Sequence, residues 1–269
     1  MRKVLDCFAL LIALVLIFPL VYALFGAFRT GAEFATFPPR LLPDSFANFE
    51  NFKTVFTRVP MPRYMLNSLI TSLLTATVKL VVSALAAYAF WRWEFRGKTF
   101  LFMLLLGTMM LPADTLIITN YRTVSRLRLT DTYLGICIIS FVGASQMFML
   151  RQQFTSIPAE LRDAAYMDGC SDIRFLLSVL LPLCRGVMAT LFLQSFIAQW
   201  NSYLWPLLVT GRDEMRTVQV GLSMLTDYET ANYEVVLAGA CAALVPGLIL
   251  FFLSRSRITG AVTTGAVVE

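Results

Sequence analysis

The chain has 269 residues, of which 58% are apolar and only 14% charged, whereas a soluble domain carries roughly 45–50% and about 25%, so most of its surface is solvated by lipid. Its net charge of +5 is scattered between apolar runs, without the basic stripe interleaved with aromatics that marks a nucleic-acid surface. The absence of histidine excludes imidazole metal ligands, histidine bases and Ser-His-Asp triads, and Cys7, Cys137, Cys170, Cys184 and Cys241, which have no paired spacing, read as small buried thiols.

A membrane-spanning helix needs about 20 mostly apolar residues. Six segments meet or approach that length: 7–28, without a charge; 64–91, interrupted by Lys79; 99–120, interrupted by Asp114; 132–150; 186–209; and 235–254. Together they predict one all-α transmembrane domain over residues 1–269. Arg2 and Lys3 resemble the charged start of a signal peptide. The apolar run 7–28 nevertheless exceeds the 7–15 residues or so of such a peptide's core, and it reads as a retained span.

The connection 29–63 carries Pro38, Pro39, Pro43, Pro60 and Pro62 with several phenylalanines, which predicts a folded or surface-lying external segment. Lysine and arginine divide almost evenly between alternate connections. The short stretch with Arg92, Arg96 and Lys98 is dense in positive charge, while Arg122, Arg126 and Arg128 argue the other way. The positive-inside rule alone therefore sets no orientation. There is no internal repeat and no low-complexity tract.

Residues 156–183 differ from the rest in being polar. Ser156 can cap a helix and Pro158 suits its first turn; Glu160 and Asp163 lie where a helix dipole favours anions. Gly169 fits a left-handed stop, and Ser171 can cap a second helix running toward Pro182. The pattern predicts a helix–turn–helix outside the lipid, with Ala164-Ala165 as a small patch that admits a close neighbour.

The particular residues of that hairpin resemble the EAA loop of binding-protein-dependent ABC importer permeases. Asp163-Ala164-Ala165 stands at the E-A-A position, Asp168-Gly169 at the D-G, and Leu181-Pro182-Leu183 at the L-P-L; the proline common shortly afterwards is absent, with Gly186 near its place. Asn67-Ser68, Ala86-Ala87-Tyr88-Ala89-Phe90 followed by Phe95-Arg96-Gly97, Leu111-Pro112, Trp200-Asn201 with Leu204-Trp205-Pro206-Leu207, and the tail Thr263-Thr264-Gly265-Ala266-Val267 are similar to further motifs of the carbohydrate and glycerol-phosphate type, the second, maltose-type permease with six spans. The resemblance covers residues 60–269. It implies the type I ABC importer permease fold, with six transmembrane helices, an inside N-terminus and a cytoplasmic EAA coupling hairpin.

Function follows as an expectation. The chain has no ATP site of its own: Gly97-Lys98-Thr99 looks like the end of a phosphate loop, but Arg92 stands where that motif needs glycine. The resemblance implies a non-catalytic subunit that binds no cofactor, with ATP and magnesium held by two separate ATP-binding-cassette subunits. It also implies a second homologous permease and an extracytoplasmic solute-binding protein. Asp163, Ala164, Ala165, Asp168 and Gly169 are then the ATPase-coupling residues, in a cell inner membrane. The cargo is a sugar or sugar-like solute, glycerol 3-phosphate included.

Intramembrane ionisable groups are costly and functional by default, which selects Lys79 and Asp114 for the solute path; a structural ion pair or snorkelling to an interface is the plainer reading of both. Gln194, Gln199, Trp200, Asn201, Tyr203 and Trp205 offer the amides and aromatic faces that suit a sugar. Such residues also anchor spans at interfaces and bond between helices. The alternative function is an ion-coupled secondary transporter with Lys79 and Asp114 as a relay, disfavoured because such folds use paired repeats and interrupted helices. An intramembrane enzyme lacks both His-Glu-x-x-His and Gly-x-Ser-x-Gly, and an exporter lacks an EAA loop.

Overall fold

The computed structural model describes residues 2–37, 40–226 and 232–265, with side chains described at 5–37, 40–112, 115–226 and 232–252. The tail motif 263–267 and the side chain of Asp114 lie outside the described side chains. The described chain is helical, with no strand. It divides into two compact units, Met1–Leu66 with Arg216–Leu248, and Asn67–Met215 with Ile249–Glu269.

In the first unit, α1 (Arg2–Ala27) ends where Asn51 donates from Nδ2 to the carbonyls of Ala27 and Arg29, at 2.8 and 2.7 Å. These bonds occupy acceptors that a helix end leaves open. The predicted external segment is folded. Thr30 and Glu33 form a capping box on α2 (Gly31–Phe34), and Glu33 Oε1 accepts from the Asp44 amide at 2.7 Å. Phe28 packs against Phe46, Phe49 and Phe52 beside α3 (Glu50–Arg58). Buried Arg29 stacks over Phe34 and donates to the Glu33 carbonyl at 2.6 Å.

Helix α4 (Met61–Arg92) runs 32 residues. Its proline falls at the second position, where no hydrogen bond is lost, and its small residues allow close packing. Then come α5 (Lys98–Thr108), α6 (Ile117–Arg126), α7 (Tyr133–Cys137), α8 (Ala144–Thr155), α9 (Ala159–Met167), α10 (Asp172–Phe175), α11 (Leu181–Leu183), α12 (Arg185–Trp200), α13 (Leu204–Val209), α14 (Val218–Ser223) and α15 (Tyr233–Gly265). A π-helical turn, Leu176–Leu180, joins α10 to α11.

The expected spans 7–28, 64–91 and 235–254 correspond to single long helices. The other three differ from expectation. Span 99–120 is an 11-residue helix, a turn at 109–112 and a short 3-10 segment leading into α6; Pro112 has no N–H to continue α5. Span 132–150 bends by 54° between Ser140 and Ala144. Span 186–209 stops at Trp200 and restarts at Leu204. Among the described residues three helices can cross a membrane alone, or five if each of two bent pairs is one span, Tyr133–Ser140 with Ala144–Thr155 (54°) and Asp172–Leu183 with Arg185–Trp200 (83°). Interrupted helices are thus present, and their supposed absence is no ground against a secondary transporter.

In the second unit, one cluster joins Ala84, Ala87, Tyr88 and Phe90 of α4 to Met147, Leu150 and Phe154 of α8, and to Phe175, Leu176 and Leu180 of the hairpin. A second gathers Val124, Ile136, Cys137, Trp205, Val209 and Met215. The first cluster carries the polar hairpin on the end of α4.

Candidate functional site

The hairpin forms as its sequence suggests, with one correction. Its first helix begins at Ala159, after Pro158. Ser156 belongs to the end of α8 instead, where its hydroxyl donates to the Gln153 carbonyl at 2.8 Å. At the far end Gly169 has φ +76°. The Cys170 amide donates to Ala165 O and the Gly169 amide to Tyr166 O, each at 3.0 Å, which is the paired closure of a left-handed helix stop. Ser171 then caps α10, accepting from the Arg174 amide.

Two neighbouring alanines face opposite ways. Ala164 is exposed, while Ala165 packs inward with Cys170 against the α4–α8 cluster. The small patch is therefore one outward residue, flanked by exposed Leu161 and by Met167, which is 88% exposed. Ile173 and Leu177 of the second helix are also exposed. Asp163 is exposed and pairs with its neighbour Arg162 at 3.0 Å, and Asp168 ends α9 with its side chain exposed.

Sequence reasoning missed Asp172. Its Oδ1 accepts from the hydroxyl of Tyr166, from Tyr88 Oη at 3.1 Å and from Arg92 Nε at 3.0 Å. Arg92 Nε also reaches Tyr166 Oη at 3.1 Å. Trp91 stacks on Phe175, with ring centres 6.3 Å apart and planes 11° apart, and Tyr166 also stacks on Phe175, at 5.9 Å. The Tyr166 hydroxyl foremost, with Arg92 and Tyr88, holds the Asp172 carboxyl below its ordinary range against a smaller opposing effect of burial. Donors converging on one carboxylate oxygen favour the anion over the neutral acid. Tyr166 is only six residues away, but Arg92 and Tyr88 lie 80 and 84 positions off, and no short motif announces them.

The candidate path residues fall into separate environments. Lys79 is half-buried, and its stem lies against Gly143 at the break before α8. It stands 13 residues, or ~20 Å of helix, before the Arg92 end of α4. Gln194 is exposed on α12. Asn201 lies seven residues on, on the same helical face, and is also exposed, as is Tyr203 in the break that follows. Gln199 is buried with its Nε2 unbonded. Trp200 is buried and stacks on Phe196 at 5.8 Å.

Trp205, 6% exposed, donates Nε1 to the carbonyls of Gly135 and Ile136 at 3.2 Å each. It has no donor left for a solute. Gln146, which sequence reasoning did not single out, is buried. It donates to Leu191 O at 2.8 Å and to the Ser195 hydroxyl, joining α8 to α12.

Known proteins resemble this chain in sequence and fold. The chain is 30% identical to the arabinooligosaccharides transport system permease protein AraQ of Halalkalibacterium halodurans, covering 95% of this chain and 92% of that one. It is 32% identical to the sn-glycerol-3-phosphate transport system permease protein UgpE of Agrobacterium fabrum, over 93% and 92%. The fold matches a chain in the crystal structure of a bacterial ABC transporter involved in the import of the acidic polysaccharide alginate, with a TM-score of 0.82 over 95% of each chain at 22% identity. Residues 4–256, nearly the whole described helical chain and its hairpin, match the family model of the binding-protein-dependent transport system inner membrane component, and the chain belongs to that family as a multi-pass inner-membrane subunit.

Proposed function

We propose that this chain is one of two permease halves of an ATP-driven importer for a sugar or sugar-like solute, glycerol 3-phosphate among the candidates. The observation that carries the reading is the hairpin 159–183, in which a left-handed glycine stop presents Ala164, Met167 and Asp168 outward on a helix anchored to α4. A separate ATP-binding-cassette subunit docks on that outward face. Closure of two such ATPases, which bind the ATP and magnesium, drives the hairpin and rocks the spans. Coupling of this kind requires an element with two arrangements, biased at both ends. The N-terminus and the hairpin are then cytoplasmic, and the folded segment 29–63 meets an external solute-binding protein.

The solute substrates named for AraQ and UgpE support a carbohydrate or phosphorylated polyol. Lys79, Gln194, Asn201 and Tyr203 are the described side chains best placed to meet it, and Asp114 joins them from sequence. The test is ATP hydrolysis by the complex that co-purifies with this chain in nanodiscs, compared with Gly169→Pro. Stimulation by a solute-loaded binding protein in wild type, lost in the variant, is the expected result. If no ATPase co-purifies, the ion-coupled transporter has to be reopened.

A further inference from the structure

We propose that Asp172 is the hinge pin of coupling, a positioning residue through which the hairpin's motion enters α4. This rests on the importer reading above. The sequence motif places the ATPase-facing residues on α9, yet α9 touches the membrane helices mainly through Tyr166 and Ala165. A push on α9 reaches a long span only where that contact resists shear. Apolar packing alone slides; charge-assisted bonds with fixed directions do not.

The resisting contact is built around one carboxylate oxygen. Asp172 Oδ1 collects Tyr166 from α9, and Tyr88 and Arg92 from the last turn of α4. The single Tyr88 hydroxyl proton is shared between Oδ1 and the Asp172 carbonyl, 3.1 and 3.2 Å away, so it addresses backbone and side chain together. Trp91 of α4 stacks on Phe175, and the Arg92 guanidinium lies over the Tyr166 ring at 5.2 Å. Both hairpin helices are thereby tied to the end of a 32-residue helix, and that same helix carries Lys79 ~20 Å farther along. A displacement at the docking face therefore becomes a tilt of α4 and moves Lys79. The only partner facing Asp172 that carries formal charge, among the described residues, is Arg92.

The experiment is hydrogen exchange on the whole co-purified complex in nanodiscs, without nucleotide and after trapping with ATP and vanadate. In wild type, trapping changes protection both in the hairpin and in the last turns of α4. In Asp172→Asn and in Arg92→Met the hairpin change persists, while the α4 change falls at least about fivefold. Arg92→Met leaves the hairpin sequence intact, so agreement between the two variants separates lost coupling from a misfolded hairpin. The exchanged pair, Arg92→Asp with Asp172→Arg, recovers at least half of the α4 response, which loss of packing alone does not. Unchanged α4 responses in both single variants, or no recovery in the exchanged pair, overturn the pin. A hairpin change without any α4 change in wild type overturns it too. A wild-type complex with no nucleotide response in the hairpin overturns the importer reading itself and the pin with it.

Discussion

Lys79 occupies the space that a β-carbon at position 143 would fill: its Cε lies where Gly143 has only hydrogen, at the bend before α8. Gly143 has extended backbone, φ −148°, so a side chain there meets the lysine rather than backbone strain. The lysine end can swing aside. Gly143→Ala is therefore expected to change thermal stability by less than about 1 kcal/mol while displacing the ammonium. If Lys79 serves the solute path, uptake in the reconstituted complex falls several-fold in Gly143→Ala and in Lys79→Met alike. Unchanged uptake in both variants removes Lys79 from the path.

Gly169 is bound to its conformation by φ +76° and has open space around it. An added methyl group meets no neighbour, so the whole penalty is torsional, about 1–2 kcal/mol for a non-glycine residue in the left-handed region. Gly169→Ala is expected to loosen the hairpin and weaken ATPase stimulation. Gly169→Asn, which tolerates that region better, retains more of it. Equal stimulation in wild type and alanine variant counts against a hairpin whose turn angle matters.

The turn at Gly169 was legible because a single residue sets it, and its neighbours Ser171 and Asp168-Gly169 act locally. The three long helices were legible from apolar length alone. The breaks in the other spans were not, because apolar content does not reveal where the i to i−4 ladder stops; even Pro112 lies inside one expected span, 99–120. Ala164 and Ala165 looked equivalent in sequence, and only the direction of α9 over the α4–α8 cluster separates them. The Asp172 cluster was out of reach for a different reason: Tyr88 and Arg92 reach it from 84 and 80 positions away, only Tyr166 is local, and long-range pairings carry no spacing. Trp205 shows the converse, a residue chosen for a sugar-like chemistry whose donor is already taken.

Trp205 and Gln194 should consequently separate stability from transport. Trp205→Phe leaves the ring volume nearly filled but strands the Gly135 and Ile136 carbonyls; an unmet buried acceptor costs about 1–3 kcal/mol. The expected result is a lowered melting temperature of the purified complex with solute preference intact. Gln194→Ala, at an exposed position, should leave melting within about 0.5 kcal/mol and alter uptake. A Trp205→Phe variant that melts like wild type but changes solute preference would reverse those roles.

Acid should loosen two places through the same linkage. At Glu33 the backbone amides of Thr30 and Asp44 hold the carboxyl below its ordinary value of 4.5, and at Asp172 the Tyr166 hydroxyl leads in holding it below 3.8. A carboxyl lowered by folding contributes stability that is fully present above its unfolded pKa and is lost as pH falls through the folded one. Both contributions are intact at neutral pH, begin to fade near those ordinary values, and are gone below the lowered ones. Hydrogen-exchange protection of residues 159–175 should thus be flat from neutrality to about pH 5 and decline below about pH 4. Asp172→Asn should show lower protection with no such decline, because its amide has no proton to gain. The segment 30–44 should follow the same course, abolished in Glu33→Gln. A decline at Asp172 that survives in the asparagine variant would assign the acid effect to another group and leave the carboxylate's bonds without the weight given to them.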